Sequence, residues 1–235
     1  LRNKLKKLKK QLMKEEAQKL YLILAGLFIA SLVTCNLIFQ KFFIWSPFGL
    51  YDFEISAGII PYPITFLVTD IISEIYGRKK ANQVVLSGLC ASIFVLLIIL
   101  VANASEATSW SPINNETFSN VFGLTGIAVA ASMLAYLLAQ FIDIRIFHFW
   151  KRITKGKHLW LRNNGSTFVS QLTDTATVLL LLCFAGAIDW NKFGILLING
   201  FLFKVIVALL DTPILYVCTS LIRKKFNLKF GEELK

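Results

Sequence analysis

Histidine and cysteine are nearly missing from this chain, and the few present stand at spacings that no metal or catalytic site uses. Cys35, Cys90, Cys183 and Cys218 fall in four different apolar stretches, which excludes a zinc cluster and reads as core packing. His148 and His158 have no cysteine or carboxylate at a ligand spacing and read as solvated residues of a basic loop, so no metal and no cofactor is expected. There is no HExxH run, no Ser/His pair within an apolar stretch and no phosphate-binding Gly-rich loop. Ser/His hydrolysis and metal catalysis therefore lack residues, and any ATP dependence has to come from another protein. Long polar segments are scarce too, which leaves no room for a separate soluble domain.

What the chain has in abundance is apolar length. Of 235 residues 56% are hydrophobic, with mean hydropathy +0.63, where an ordinary soluble domain has roughly 45–50%. A span needs about 20 apolar residues, and six stretches qualify: 20–44, 55–76, 83–102, 120–142, 165–188 and 193–222. The expected fold is all-α, a polytopic membrane protein of six transmembrane helices. The domain division is a basic amphipathic segment 1–19, a transport domain 20–222 and a basic tail 223–235.

The net charge of +11 could suggest nucleic acid, but its placement argues otherwise. Of the 25 Lys and Arg residues, 22 lie on one side of a six-span arrangement; the other side has only Lys41 and Lys192, and Lys204 is left inside a span. The positive-inside rule then puts both termini in the cytoplasm, and the basic charge is a topological signal. In residues 1–19, Leu5, Leu8 and Leu12 share a lysine-flanked helix face, which suits a surface anchor on an anionic leaflet rather than a cleaved leader. The first outer connection, 45–54, is aromatic and contains Pro47 and Gly49; the second, 103–119, has no basic residue. Three spans per half, an odd number, admits two inverted three-helix halves.

Polar residues inside the spans carry the functional reading. A carboxylate in hydrocarbon costs roughly 2.5–3.5 kcal/mol on insertion scales, so each one asks for a polar interior. Asp70 and Glu74 stand one helical turn apart in the second span, after Pro61 and Pro63, which loosen its outer half. For Glu74 the competing role is a clamp on Arg78, Lys79 or Lys80 that locks the turn at Gly77. Gln140 and Asp143 end the fourth span, with Asp143 expected at the inner boundary beside Arg145. The fifth span brings Gln171 and Asp174, the sixth Lys204 and Asp211 followed by Pro213. An Asp174–Lys204 salt bridge is the structural alternative to a site. Asn36 adds an amide from the first span. Together Asn36, Asp70, Glu74, Gln140, Gln171, Asp174, Lys204 and Asp211 suggest one hydrated pocket, with Pro61, Pro63, Gly77, Arg78, Asp143 and Pro213 as structural or gating positions.

The runs PYPITFLVTDIISEIYGRKKA, YLLAQFIDIRIFHFW, STFVSQLTDT and FKVIVALLDTPILY, in this order, resemble the queuosine precursor transporter family, also called the vitamin uptake transporter family. The resemblance covers about residues 36–216. It implies a bacterial inner-membrane importer of 7-deazaguanine bases (preQ0, preQ1 or queuine) serving tRNA modification. The partners implied are a small nucleobase and the lipid bilayer, with no nucleic acid. A carboxylate matches the paired N–H donors of a guanine-like edge, and a donor such as Lys204, Asn36 or Gln140 matches its carbonyl. Two other readings stay open: the substrate-capture subunit of an energy-coupling-factor vitamin importer, and a membrane enzyme, whose aspartyl mechanism would need two facing acids such as Asp70 and Asp174. Six spans are half a twelve-span transporter, so a homodimer is among the assemblies the sequence admits.

Overall fold

A computed structural model of the chain describes residues 2–38, 41–46, 49, 52–123, 126–184, 186, 189–229 and 231–234. Pro47 and the end of the fifth expected span at Ile188 lie outside them. The described elements are α1 (Arg2–Ile38), the antiparallel strands β1 (Phe42–Trp45) and β2 (Phe53–Ser56), α2 (Tyr62–Ile75), α3 (Arg78–Ala104), a short α4 (Asn115–Phe118), α5 (Gly126–Ile153), α6 (Leu159–Phe184) and α7 (Trp190–Phe226). The chain is a helical membrane protein. Among the described residues four segments are long and apolar enough to cross a bilayer, Gln11–Ile38, Arg78–Ala104, Met133–Ile153 and Trp190–Phe226.

The two expected spans outside that set, α2 and α6, are the polar ones, and they sit inside the bundle. In α2 every residue from Thr65 to Ile75 except Leu67 is buried, so the helix is enclosed on all sides. It packs against α1, α3, α5 and α7, around Phe28, Ile72, Ile75, Ile144, Phe147 and Leu215. α5, α6 and α7 pack side by side. Leu86, Phe94, Leu97 and Val101 of α3, and Leu202, Leu210, Val217 and Leu221 of α7, remain exposed, as lipid-facing residues must.

The sequence-based boundaries need four corrections. First, α1 is one helix from Arg2 to Ile38, without a break at residue 19, and the end of the first expected span folds as β1. Second, α2 has only 14 residues, about 21 Å at 1.5 Å each, because Phe53–Ser56 pairs with β1 in place of extending the helix. Pro61 sits at its N-cap and Pro63 in its first turn, where the missing N–H costs nothing. Third, α5 runs on to Ile153, so Asp143 lies within the helix and His148 is a half-buried helix residue, not a loop residue. Fourth, α6 begins at Leu159, which moves Arg162, Asn163 and Asn164 from the expected loop into the interior.

Candidate functional site

Because α2 is buried from Thr65 to Ile75 except at Leu67, its acids face other helices, and they do so at two levels. The upper level is a pocket of about 450 Å³, counted out to its mouth. Asp70, Tyr62 and Phe66 of α2, Asn163, Thr167 and Gln171 of α6, and Phe203, Lys204 and Asp211 of α7 line it. The space inside it that a water-sized sphere can occupy is about 30 Å³, room for one or two waters, so a larger guest requires the walls to part.

At the hairpin end of the pocket, Lys204 Nζ pairs with Asp174 Oδ2 at 2.5 Å, and the Tyr62 hydroxyl lies 3.0 Å from the same oxygen and 3.2 Å from Gln171 Oε1. The Lys204 ammonium also stands 5.1 Å from the Tyr62 ring centre. Trp45 of β1 meets Phe203 edge to face at 5.3 Å, so the hairpin is anchored to a pocket residue. On the opposite side Asp70 contacts Asp143, whose Oδ1 accepts from Ser170 Oγ at 2.9 Å. Asn163 and Asn164 both donate to Thr212, the residue after Asp211 and before Pro213, and α7 stays helical through Pro213.

One turn below Asp70 lies a different arrangement. Glu74 and Arg162 are both wholly buried (0% exposed) and form a bidentate pair; Arg223 of α7 pairs with the same carboxylate, and Lys151 of α5 stands 3.7 Å from it. Lys151 also donates to the Glu74 carbonyl and to Glu233 of the tail, while the Leu234 N–H donates to the Ile75 carbonyl. Gly77, at φ +82°, is covered by the Glu233 carboxyl. This hub ties α2, α5, α6, α7 and the tail together. Glu74 therefore belongs to the hub, outside the pocket, and its partners are not Arg78, Lys79 or Lys80; Arg78 is exposed at the start of α3.

Two more expected site residues stand apart from the pocket. Gln140 bonds Tyr136 and Thr69, and Asn36 bonds Ser92 of α3 beside a smaller cavity. Asp143 bonds Ser170, while Arg145 is exposed. The structure thus gathers Asp70, Gln171, Lys204 and Asp211, with Asp174 one contact behind. Sequence reading missed Arg162, Asn163, Thr167, Lys151 and Arg223. The available signal was RNN at 162–164, one turn before the polar run of α6, where it read as loop.

Chemically the pocket offers carboxylate acceptors, an ammonium, an amide and aromatic faces, without a nucleophile poised on a base. A family model, "Putative vitamin uptake transporter", matches residues 56–218. A "Probable queuosine precursor transporter" of Bacillus subtilis (strain 168) is 28% identical over 174 residues, covering 74% of this chain and 75% of that protein. A protein of Haemophilus influenzae (strain ATCC 51907 / DSM 11121 / KW20 / Rd) with the same description is 23% identical over 191 residues, covering 78% and 77%. No solved structure matches the chain. With the matched region spanning α2 to α7 and containing every wall of the pocket, the chain belongs to the vitamin uptake transporter family, multi-pass membrane transporters.

Proposed function

We propose that this chain imports 7-deazaguanine bases, the free precursors of queuosine, through a six-span domain whose termini are both cytoplasmic. The observation that carries the reading is the convergence of Asp70, Gln171, Lys204 and Asp211 from three helices on one aromatic-walled pocket. A guanine-like edge presents adjacent N–H donors to a carboxylate, its carbonyl takes a donor, and its face stacks on Tyr62, Phe66 or Phe203. An aminomethyl group on the base, protonated at neutral pH, finds a second carboxylate in Asp211. The names of the two relatives support this cargo.

Six spans follow if α6 crosses as a helix of 26 residues, about 39 Å, and α2 crosses as a half-length helix completed by the hairpin. The polar side chains that keep α6 from resembling a lipid-facing span are those it turns to the pocket and hub. With 22 of 25 basic residues on one side, the hub faces the cytoplasm and the hairpin faces out.

The test is complementation. A bacterium lacking both precursor synthesis and its own importer, expressing this chain and fed each base at low concentration, should regain queuosine in its tRNA. Asp70→Asn and Asp174→Asn should lose uptake while still inserting. No restoration with any base, despite verified insertion, removes the cargo assignment.

A further inference from the structure

Behind the pocket wall, two acids meet with nothing between them. Asp70 is buried and Asp143 wholly so, and their carboxyl groups are in hydrogen-bonding contact. Each has one buried oxygen that no other donor reaches, Oδ1 on Asp70 and Oδ2 on Asp143. Two ionised carboxylates in contact, away from water, repel strongly, and two neutral acids would waste a donor; one proton between them satisfies both orphaned oxygens.

The surroundings decide where it rests. Asp143 accepts the Ser170 hydroxyl of α6 at Oδ1, so that oxygen already has a donor, whereas Asp70 Oδ1 has none. Asp70 is faced by further negative groups, Asp211 of α7 across the pocket and Glu74 one turn along α2, the latter already ringed by Arg162, Arg223 and Lys151. The remaining pocket cation, Lys204 of α7, is engaged by Asp174 of α6. Tyr136 and Gln140 of α5 are neutral.

We propose that Asp70 and Asp143 form a single-proton site, with the proton on Asp70 Oδ1 and donated to Asp143 Oδ2 while the pocket is empty. When a cargo presents N–H donors to Asp70, that residue has to become an acceptor. The proton then crosses the one hydrogen bond to Asp143, so Asp143 acts as a positioning residue, turning into the donor that orients the Asp70 carboxylate. This second step rests on the transport reading above; the first does not. Cargo and proton are then linked at one place, and uptake becomes sensitive to pH through this pair.

Infrared spectroscopy of the cargo-free protein in lipid nanodiscs tests the first step. Wild type should show a protonated-carboxyl band that shifts in D2O and fades as the pH is raised from about 5 to about 9. The band should vanish from D70N and from the double variant, shift in frequency in D143N, where the Asp70 proton is donated to an amide oxygen, and stay unchanged in D211N. Two separate bands, one lost in each single variant, mean independent protons and overturn the proposal. So does a wild type without such a band at any pH in this range, a result that needs no variant to fold. Adding preQ1 should alter the band's frequency in wild type. An unaltered band in protein shown by calorimetry to bind preQ1 refutes the proton transfer, whereas no binding of any base refutes the cargo reading and leaves the empty-state result standing.

Discussion

Replacing Glu74 by Gln keeps the shape of the hub and removes only its central charge. In the native protein Glu74 and Glu233 face Arg162, Arg223 and Lys151, a net excess of one positive charge. The variant raises that excess to two, in a place where Arg162 is 0% exposed and Glu233 is the one remaining acid. Breaking a buried ion pair by removing one partner costs about 3–5 kcal/mol. The Gln carbonyl still accepts one guanidinium N–H, so the lower end, about 3 kcal/mol, applies. For a chain of this size each kcal/mol moves the midpoint by about 2–4 °C, which gives a fall of roughly 6–12 °C in detergent. The instructive comparison is Arg162→Gln, which makes the same hub neutral. It should cost less, although it also forfeits the bond to the Gly156 carbonyl and the contact with the Phe147 ring, 5.5 Å away. The double variant should melt above E74Q alone. Thermal unfolding by intrinsic fluorescence reads all three. If E74Q melts within 2 °C of wild type, or if the double variant is no better than E74Q, the charge argument is wrong and the hub is held by packing.

Gly88→Ala should destabilise by about 1–3 kcal/mol, because the new methyl would lie 2.6 Å from the ring of Phe28, which is wholly buried and has nowhere to turn; an unchanged melting midpoint would mean that α1 and α3 are free to separate. Gly77→Ala should lower stability by about 1–3 kcal/mol, since φ +82° with ψ 170° is a region essentially reserved for glycine. Adding Glu233→Ala should recover only the steric part, and full recovery would show that the backbone is not the constraint. Asp174→Asn should cut uptake at least tenfold, about 1.4 kcal/mol. Lys204→Met in addition should not restore it if the ion pair serves cargo, whereas recovery in the double variant would mark the pair as structural.

The sequence made the membrane class, the polar interior and the charged residues of the pocket legible, because a polar residue in an apolar run has few explanations. Asp70, Gln171, Lys204 and Asp211 stood out for that reason, and the Asp174–Lys204 pair was available as an alternative because its members sit at similar depth. Partner choice for Glu74 was not legible: Arg162 and Arg223 lie 88 and 149 residues away, while Arg78 to Lys80 are adjacent, and local spacing favours neighbours that geometry turns outward. The hairpin escaped because FFIW is as apolar as the span it adjoins and declares no period, and the alternation of FEIS is only four residues long. The reach of α5 past residue 142 escaped because basic residues after Ile142 read as a boundary, although Ile144 and Phe147 are core.

The two acids of α2 illustrate how position along one helix selects two physical solutions. Asp70 and Glu74 differ by one turn and share a face, yet one meets another acid and the other meets three cations. A carboxylate paired with Arg162, Arg223 and Lys151 joins α2 to three other helices, so Glu74 suits a fixed tie between them. A carboxyl that shares a proton with its neighbour changes state by moving one hydrogen nucleus, so Asp70 suits a site that must respond to what arrives. The order along α2 matters as well. In the proposed orientation the hub lies between the pocket and the cytoplasm, and cargo leaving that way has to cross the layer where α2, α5, α6 and α7 are tied. Parting the hub is less costly than its ion pairs suggest, because opening returns the buried charges to water and recovers the hydration lost on closing. A barrier built from desolvated ion pairs is therefore firm while dry and yields once wet, which a purely apolar plug of the same size would not do.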